Sequence, residues 1–253
     1  MTPDQYVETI LAKYAVPRGP TSPAEQLGTV VAGPLRTWAG QQLNELRYSG
    51  SYVKETGVHG TSDVDVFISL KSDTTNTLKE LYESLFSLAQ TNGWSPRRQN
   101  VSVGVTVNGT HGDLVPGKVQ AGHQNYHSLH LRKRDSWTQT NVALHVDTVY
   151  NSGRLKEIRA VKIWRMLHDL DFPSLYLELF TIQSLSGRSR STLAENVLHA
   201  LSTIGTSLAS TRFEDPASTN NILSDELTQA EKQRIASLAA QSARQQYWKD
   251  IIW

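Results

Sequence analysis

Residues 63–68 read Asp-Val-Asp-Val-Phe-Ile, and that alternation is the tightest constraint in the chain. Side chains of a β-strand point to opposite faces with a period of two. Asp63 and Asp65 therefore share one face, and Val64 and Val66 take the other. The segment demands a sheet with one face packed on a core and one face left open. Two carboxylates side by side repel unless a cation sits between them. Shortly upstream, Gly50-Ser51 forms a turn that can offer backbone N–H groups and a hydroxyl to an anion. A cation held beside a cradled phosphate is the layout of a phosphoryl- or nucleotidyl-transfer site.

The rest of the chain supplies such a sheet and then changes character. Tyr6, Ile10, Leu11 and Tyr14 predict a helix over residues 1–17, followed by a Pro/Gly/Ser break. A second helix is expected from Ser22, a capping residue before Pro23, to about Asn44, interrupted or kinked at Gly33-Pro34. A short strand at 45–48 leads to Gly50, and a helix over 73–91 follows the Asp-x-Asp strand. Val101, Val103, Val105 and Val107 alternate with small or polar residues, and Asn108-Gly109 predicts a hairpin returning over 111–115 with Asp113 on it. Residues 116–141 lack periodicity and read as a long loop. Beyond it the pattern is helical, over 139–151, 154–168, 173–186, 191–209 and 225–246. The expectation is an α/β (α+β) core over 1–150 followed by a helical domain over 151–253.

Composition excludes several classes. No apolar run reaches the ~18–20 residues of a membrane span. The first residues have neither the basic start nor the apolar stretch of a secretory leader, so a cytoplasmic location and no membrane partner are expected. There is no cysteine, hence no disulfide framework and no thiolate metal site. A net charge of +1 argues against a large nonspecific nucleic-acid surface.

The Gly50-Ser51 turn, the Asp63-x-Asp65 strand and Asp113 together resemble the DNA polymerase β-like nucleotidyltransferase superfamily. Ile158-Arg159-Ala160-Val161-Lys162-Ile163-Trp164-Arg165 resembles the lysine-bearing helix of 2′-5′-oligoadenylate synthases, cyclic GMP-AMP synthase and the bacterial CD-NTases. Pro173-Ser174-Leu175-Tyr176 is similar to the helix that follows there, and Asp215-Pro216 with Asn220-Asn221 to a late turn. The resemblance implies a polymerase β-like core with a mixed sheet, followed by a helical domain as in oligoadenylate synthases. It implies two Mg²⁺ ions, with Mn²⁺ as a substitute, held by Asp63, Asp65 and Asp113 as catalytic ligands. Gly50, Ser51, Lys162 and Ser174 would bind the nucleotide. The substrates would be nucleoside triphosphates or their deoxy forms, joined into a short cyclic or linear signal with release of pyrophosphate. Such enzymes commonly serve bacterial antiphage defence, with an effector protein reading the product. Archaeal CCA-adding enzymes share much of the pattern, so an RNA 3′ end, or a protein hydroxyl including the chain's own, is the alternative acceptor.

Several residues keep two readings. Lys162 lies in an apolar stripe and needs a partner, either a phosphate or an internal acid such as Glu178. Ser174 either holds a triphosphate or caps its helix. Lys118, Arg132, Lys133 and Arg134 are a solvated rim or a contact to triphosphate, acceptor or nucleic acid. Trp137 and Tyr126 either stack on a base or pack in the core. His123, His127 and His130 read as solvated loop residues. The apolar tail from Tyr247 to Trp253 either docks on the protein or meets a partner.

Overall fold

A computed structural model describes residues 1–61 and 63–253. The chain forms two compact units, one of Pro17–Lys54 with Ser62–Val146 and one of Met1–Val16, Glu55–Thr61 and Asp147–Trp253.

The first unit is built on a mixed sheet. In chain order it holds α2 (Pro23–Ala39), β1 (Leu43–Ser49), a single turn α3 (Gly50–Val53), β2 (Val64–Leu70), α4 (Leu78–Thr91), β3 (Arg97–Arg98), β4 (Val103–Val107), β5 (Thr110–Gln120), β6 (His123–Leu131) and β7 (Ser136–Thr140), with most of α5 (Val142–Tyr150) at its end. The strand order is β1-β2-β5-β4-β3, and β6 continues from the far end of β5 to β7. Among the described strands only β2 and β5 run parallel. The alternation predicted for β2 sends Val64, Val66, Ile68 and Leu70 with Leu114, Val103 and Val105 into one core with Leu27, Val31 and Leu35 of α2 and Leu81, Tyr82 and Leu85 of α4, but the other face is not open, since Phe67 and Ser69 are buried there and only Asp65 is half-buried. Both helices start where their caps dictate, with Ser22 accepting from Glu25 N–H and Thr77 forming a reciprocal capping box with Glu80.

Three further expectations fail in this unit. Helix α2 runs through Gly33-Pro34 uninterrupted. The carbonyl that Pro34 leaves without a donor belongs to Val30, on the exposed side of the helix, where water can replace it. The predicted loop 116–141 is instead the second half of β5 followed by β6 and β7, with Gly122 at φ +79° turning the hairpin. His127 and His130 are accordingly buried on β6 rather than solvated.

The second unit is helical: α1 (Pro3–Lys13), α6 (Leu155–Leu167), α7 (Ser174–Ser184), α8 (Leu193–Ser207), a small β8 (Glu214–Asp215) and β9 (Ser218–Ile222) hairpin, and α9 (Gln229–Ser242). Its core gathers Val7, Ile10 and Leu11 of α1 with Val161, Trp164, Tyr176, Phe180, Val197 and Leu201. The N-terminal helix thus belongs with the helical unit and not with the sheet, because its apolar stripe is buried there. Among the described residues no helix is long and apolar enough to cross a membrane.

Candidate active site

Asp65 pairs in register with Asp113 on the parallel strand β5, and with Ser49 on β1. Residues paired across neighbouring strands project to the same side, so both carboxylates stand on the face opposite the α2/α4 core. Asp63, two positions before Asp65, is close enough for its charge to act on Asp113. All three aspartates are half-buried.

Gly50 is fixed by two independent requirements. Its φ is +62°, a region L-residues avoid, and a Cβ built on it would lie 1.7 Å from Asp65 Oδ2 and 2.5 Å from its Cγ. The turn lays bare backbone directly against the Asp65 carboxylate. Ser51 follows as the second residue of α3 and is half-buried.

Asp113 is strongly perturbed. Burial, and then the neighbouring Asp63 charge, push its carboxyl up to about 6, while Arg97 and a hydrogen bond from Gln99 pull the other way. Gln99 Nε2 donates to Asp113 Oδ1 at 2.7 Å. Gln99 is itself held, its side-chain oxygen accepting from Ser102 and its carbonyl from Tyr82 and Arg132. The bond crosses over Gly104, where a Cβ would lie 2.8 Å from Gln99 Nε2 and 3.3 Å from Asp113 Oδ1. Sequence reasoning missed Gln99 and Gly104. The small residue in an otherwise valine-rich alternation was the only visible signal.

Among the described residues no three His, Asp or Glu side chains close into a metal-holding group. Asp65 and Asp113 share a face, while Asp63 lies just before β2. The donor set itself, carboxylates without thiol or imidazole, suits a hard divalent cation such as Mg²⁺.

Lys162 takes the internal partner. It is buried in the helical unit, with Nζ 2.6 Å from Glu178 Oε1 and 3.0 Å from Thr56 Oγ1. Thr56 also donates to Glu178 at 2.6 Å. Ser174 is exposed at the first position of α7, where it accepts from Arg165 and makes no capping bond. Lys118 donates to the Thr74 carbonyl and Arg132 to that of Gln99, while Lys133 and Arg134 are exposed. Trp137 is 60% exposed and so is no core residue. The tail docks: Ile251 and Ile252 are buried, and the hydroxyls of Tyr6 and Tyr14 donate to the carbonyls of Ile252 and Trp253.

No protein-family model and no curated protein matches the sequence. Solved structures do. The structure titled E. coli MS115-1 CdnC with ATP matches at a TM-score of 0.76 and 18% identity, over 94% of this chain and 89% of that one. The Bradyrhizobium diazoefficiens CD-NTase CdnG in complex with GTP matches at 0.77 and 12% identity, over 95% and 91%. The Rhodothermus marinus CdnE c-UMP-AMP synthase matches at 0.62 and 17% identity, over 93% and 95%. The chain has the CD-NTase fold.

Proposed function

We propose that the chain is a metal-dependent, template-independent nucleotidyltransferase that joins nucleoside triphosphates, ribo or deoxy, into a short cyclic or linear oligonucleotide and releases pyrophosphate. One observation carries the reading: Asp65 and Asp113 are register partners on one face of the sheet, with bare Gly50 backbone against Asp65. That arrangement sits on a fold whose solved examples include proteins titled as cyclic dinucleotide and c-UMP-AMP synthases.

Asp63, Asp65 and Asp113 would hold the divalent ions, Mg²⁺ or Mn²⁺. When bound, such ions neutralise the triphosphate and favour in-line attack by a hydroxyl. The chain's own contribution is positional. Gly50 leaves room for phosphate oxygens, and Ser51 can donate to them. Gln99 holds Asp113 through its Oδ1, and Asp113 would assist deprotonation of the attacking hydroxyl. Lys162 acts from inside the helical unit, where its pairing with Glu178 and Thr56 ties α6 to α7. Ser174, exposed at the start of α7, keeps a role in contacting triphosphate within this reading. A product of this kind would serve as a signal to a separate effector protein.

The test is mass-spectrometric identification of products after incubation with all ribo- and deoxyribonucleoside triphosphates and Mg²⁺. Wild-type protein yields an oligonucleotide and pyrophosphate. Asp63→Asn with Asp65→Asn yields neither while remaining folded, and full product formation by that double variant would refute the metal assignment.

A further inference from the structure

The brace on Asp113 engages one carboxylate oxygen and leaves the other free. Gln99 Nε2 donates to Asp113 Oδ1 at 2.7 Å, and among the described residues nothing donates to Oδ2. The Gln99 amide is fixed in its orientation. An ionised carboxylate only accepts, so the amide presents its NH₂ to Asp113 and its oxygen to Ser102. Ser102 is buried, and its hydroxyl donates to that oxygen at 2.8 Å. The backbone closes the same turn, with the Gln99 N–H donating to the Ser102 carbonyl at 3.1 Å. The Gln99 carbonyl accepts from Tyr82 Oη at 2.9 Å and from Arg132 Nε at 3.1 Å. Every polar atom of Gln99 is therefore engaged, and the side chain is held at both ends.

The residue type separates this brace from a buried ion pair. An arginine or lysine at this place would neutralise the carboxylate, and an arginine could take both of its oxygens at once. A glutamine takes one oxygen and leaves the full negative charge in place. Gly104, the register partner of Asp113 on β4, gives the amide its path, since a Cβ there would lie 2.8 Å from Gln99 Nε2. What remains for a cation is one oxygen of a carboxylate that is tied down and cannot swing to offer both.

Divalent ions differ in how they use a carboxylate. Ca²⁺ takes roughly six to eight oxygens at ~2.3–2.6 Å and readily grips a carboxylate through both of them. Mg²⁺ demands a near-ideal octahedron at ~2.0–2.1 Å, and Mn²⁺ shares its preference for octahedral oxygen sites. Resting on the reading of Asp113 as a metal ligand, we propose that the Gln99–Ser102 brace sets the ion preference of the site. It holds Asp113 to ligation through one oxygen and so favours Mg²⁺ and Mn²⁺ over Ca²⁺. Gln99 and Ser102 act through Asp113 and are positioning residues.

The test is ion binding without turnover. Mn²⁺ bound to the full chain is read by electron paramagnetic resonance with no nucleotide present, and Mg²⁺ and Ca²⁺ by their competition with it. In the wild type Mg²⁺ displaces Mn²⁺ at lower concentration than Ca²⁺ does. Gln99→Leu weakens Mn²⁺ roughly tenfold and leaves Ca²⁺ as tight or tighter, so the ratio of the Ca²⁺ to the Mn²⁺ dissociation constant falls about tenfold. Ser102→Ala frees the amide to turn while keeping Gln99, and it moves the ratio the same way by a smaller factor. Equal weakening of both ions, the mark of a purely structural role, or an unchanged ratio in either variant would overturn the proposal and leave the metal reading intact. A wild type that binds no Mn²⁺ would overturn the metal reading and the proposal with it.

Discussion

Gly50→Ala is the sharpest perturbation of the site that leaves every charge in place. The new methyl meets two costs. At φ +62° an L-residue costs about 1 kcal/mol relative to glycine. The methyl would also sit 1.7 Å from Asp65 Oδ2, far inside van der Waals range, so the carboxylate or the turn must move by more than an ångström. Overpacking of that kind costs ~1–3 kcal/mol. The sum is a destabilisation of about 2–4 kcal/mol, together with loss of product formation, since the displaced group is the candidate ligand itself. A double-mutant cycle isolates the cause. In an Asp65→Ala background the Oδ2 and Cγ contacts vanish and only the 3.0 Å approach to Cβ and the backbone cost remain. Gly50→Ala should then cost about 1–2 kcal/mol, giving a coupling energy of about 1–2 kcal/mol in urea denaturation. Equal costs in the two backgrounds, or a wild-type-like Gly50→Ala, would refute the close approach of turn and carboxylate.

Three further outcomes are expected. Lys162→Met leaves Glu178 buried without its cation and should cost ~3–5 kcal/mol in denaturant unfolding, whereas replacing both by Met and Leu recovers most of it; an unchanged midpoint for Lys162→Met would return the lysine to the phosphate reading. Burial, helped by the Arg47 charge, holds the His127 imidazole down at about 4, so between pH 4 and 6.5 the unfolded chain binds a proton that the folded chain refuses; stability is full above 6.5 and falls by up to ~3 kcal/mol as pH drops to 4, a slope that His127→Gln should flatten. Gln99→Leu removes the donor to Asp113 while keeping bulk, and should weaken Mn²⁺ binding, read by electron paramagnetic resonance, with little change in melting temperature; unchanged Mn²⁺ affinity would remove Gln99 from the site.

The parts of the fold legible in the sequence are those where one force acts alone. The β2 alternation, the capping residues Ser22 and Thr77, and the Asn108-Gly109 turn each follow from local physics, and each appears in the structure. Residues 116–131 were opaque because tertiary demands override the pattern there. Gly117 breaks the side-chain alternation of β5, because a Cβ there would lie 2.7 Å from the Phe67 ring and 3.0 Å from Leu129. His127 is buried through its bond to Ser69, a partner 58 positions away that no window reveals. The shared face of Asp65 and Asp113 was legible from period and hairpin, but the Gln99 brace was not, since a glutamine in a connecting segment carries no periodic signature. For Lys162, burial was readable and the identity of its partner was not.

The helical unit is discontinuous: α1 packs on α6 and α8, more than 140 positions downstream. On the ribosome, where synthesis proceeds at ~5–20 residues per second, α1 waits roughly 10–40 seconds for those helices to be made. Through that interval Val7, Ile10 and Leu11 are uncovered, while residues 17–54 and 62–146, the sheet and its two covering helices, can already be in place. Helix α1 is thus made well before the neighbours that bury it, and it is a stretch a nascent-chain chaperone would meet.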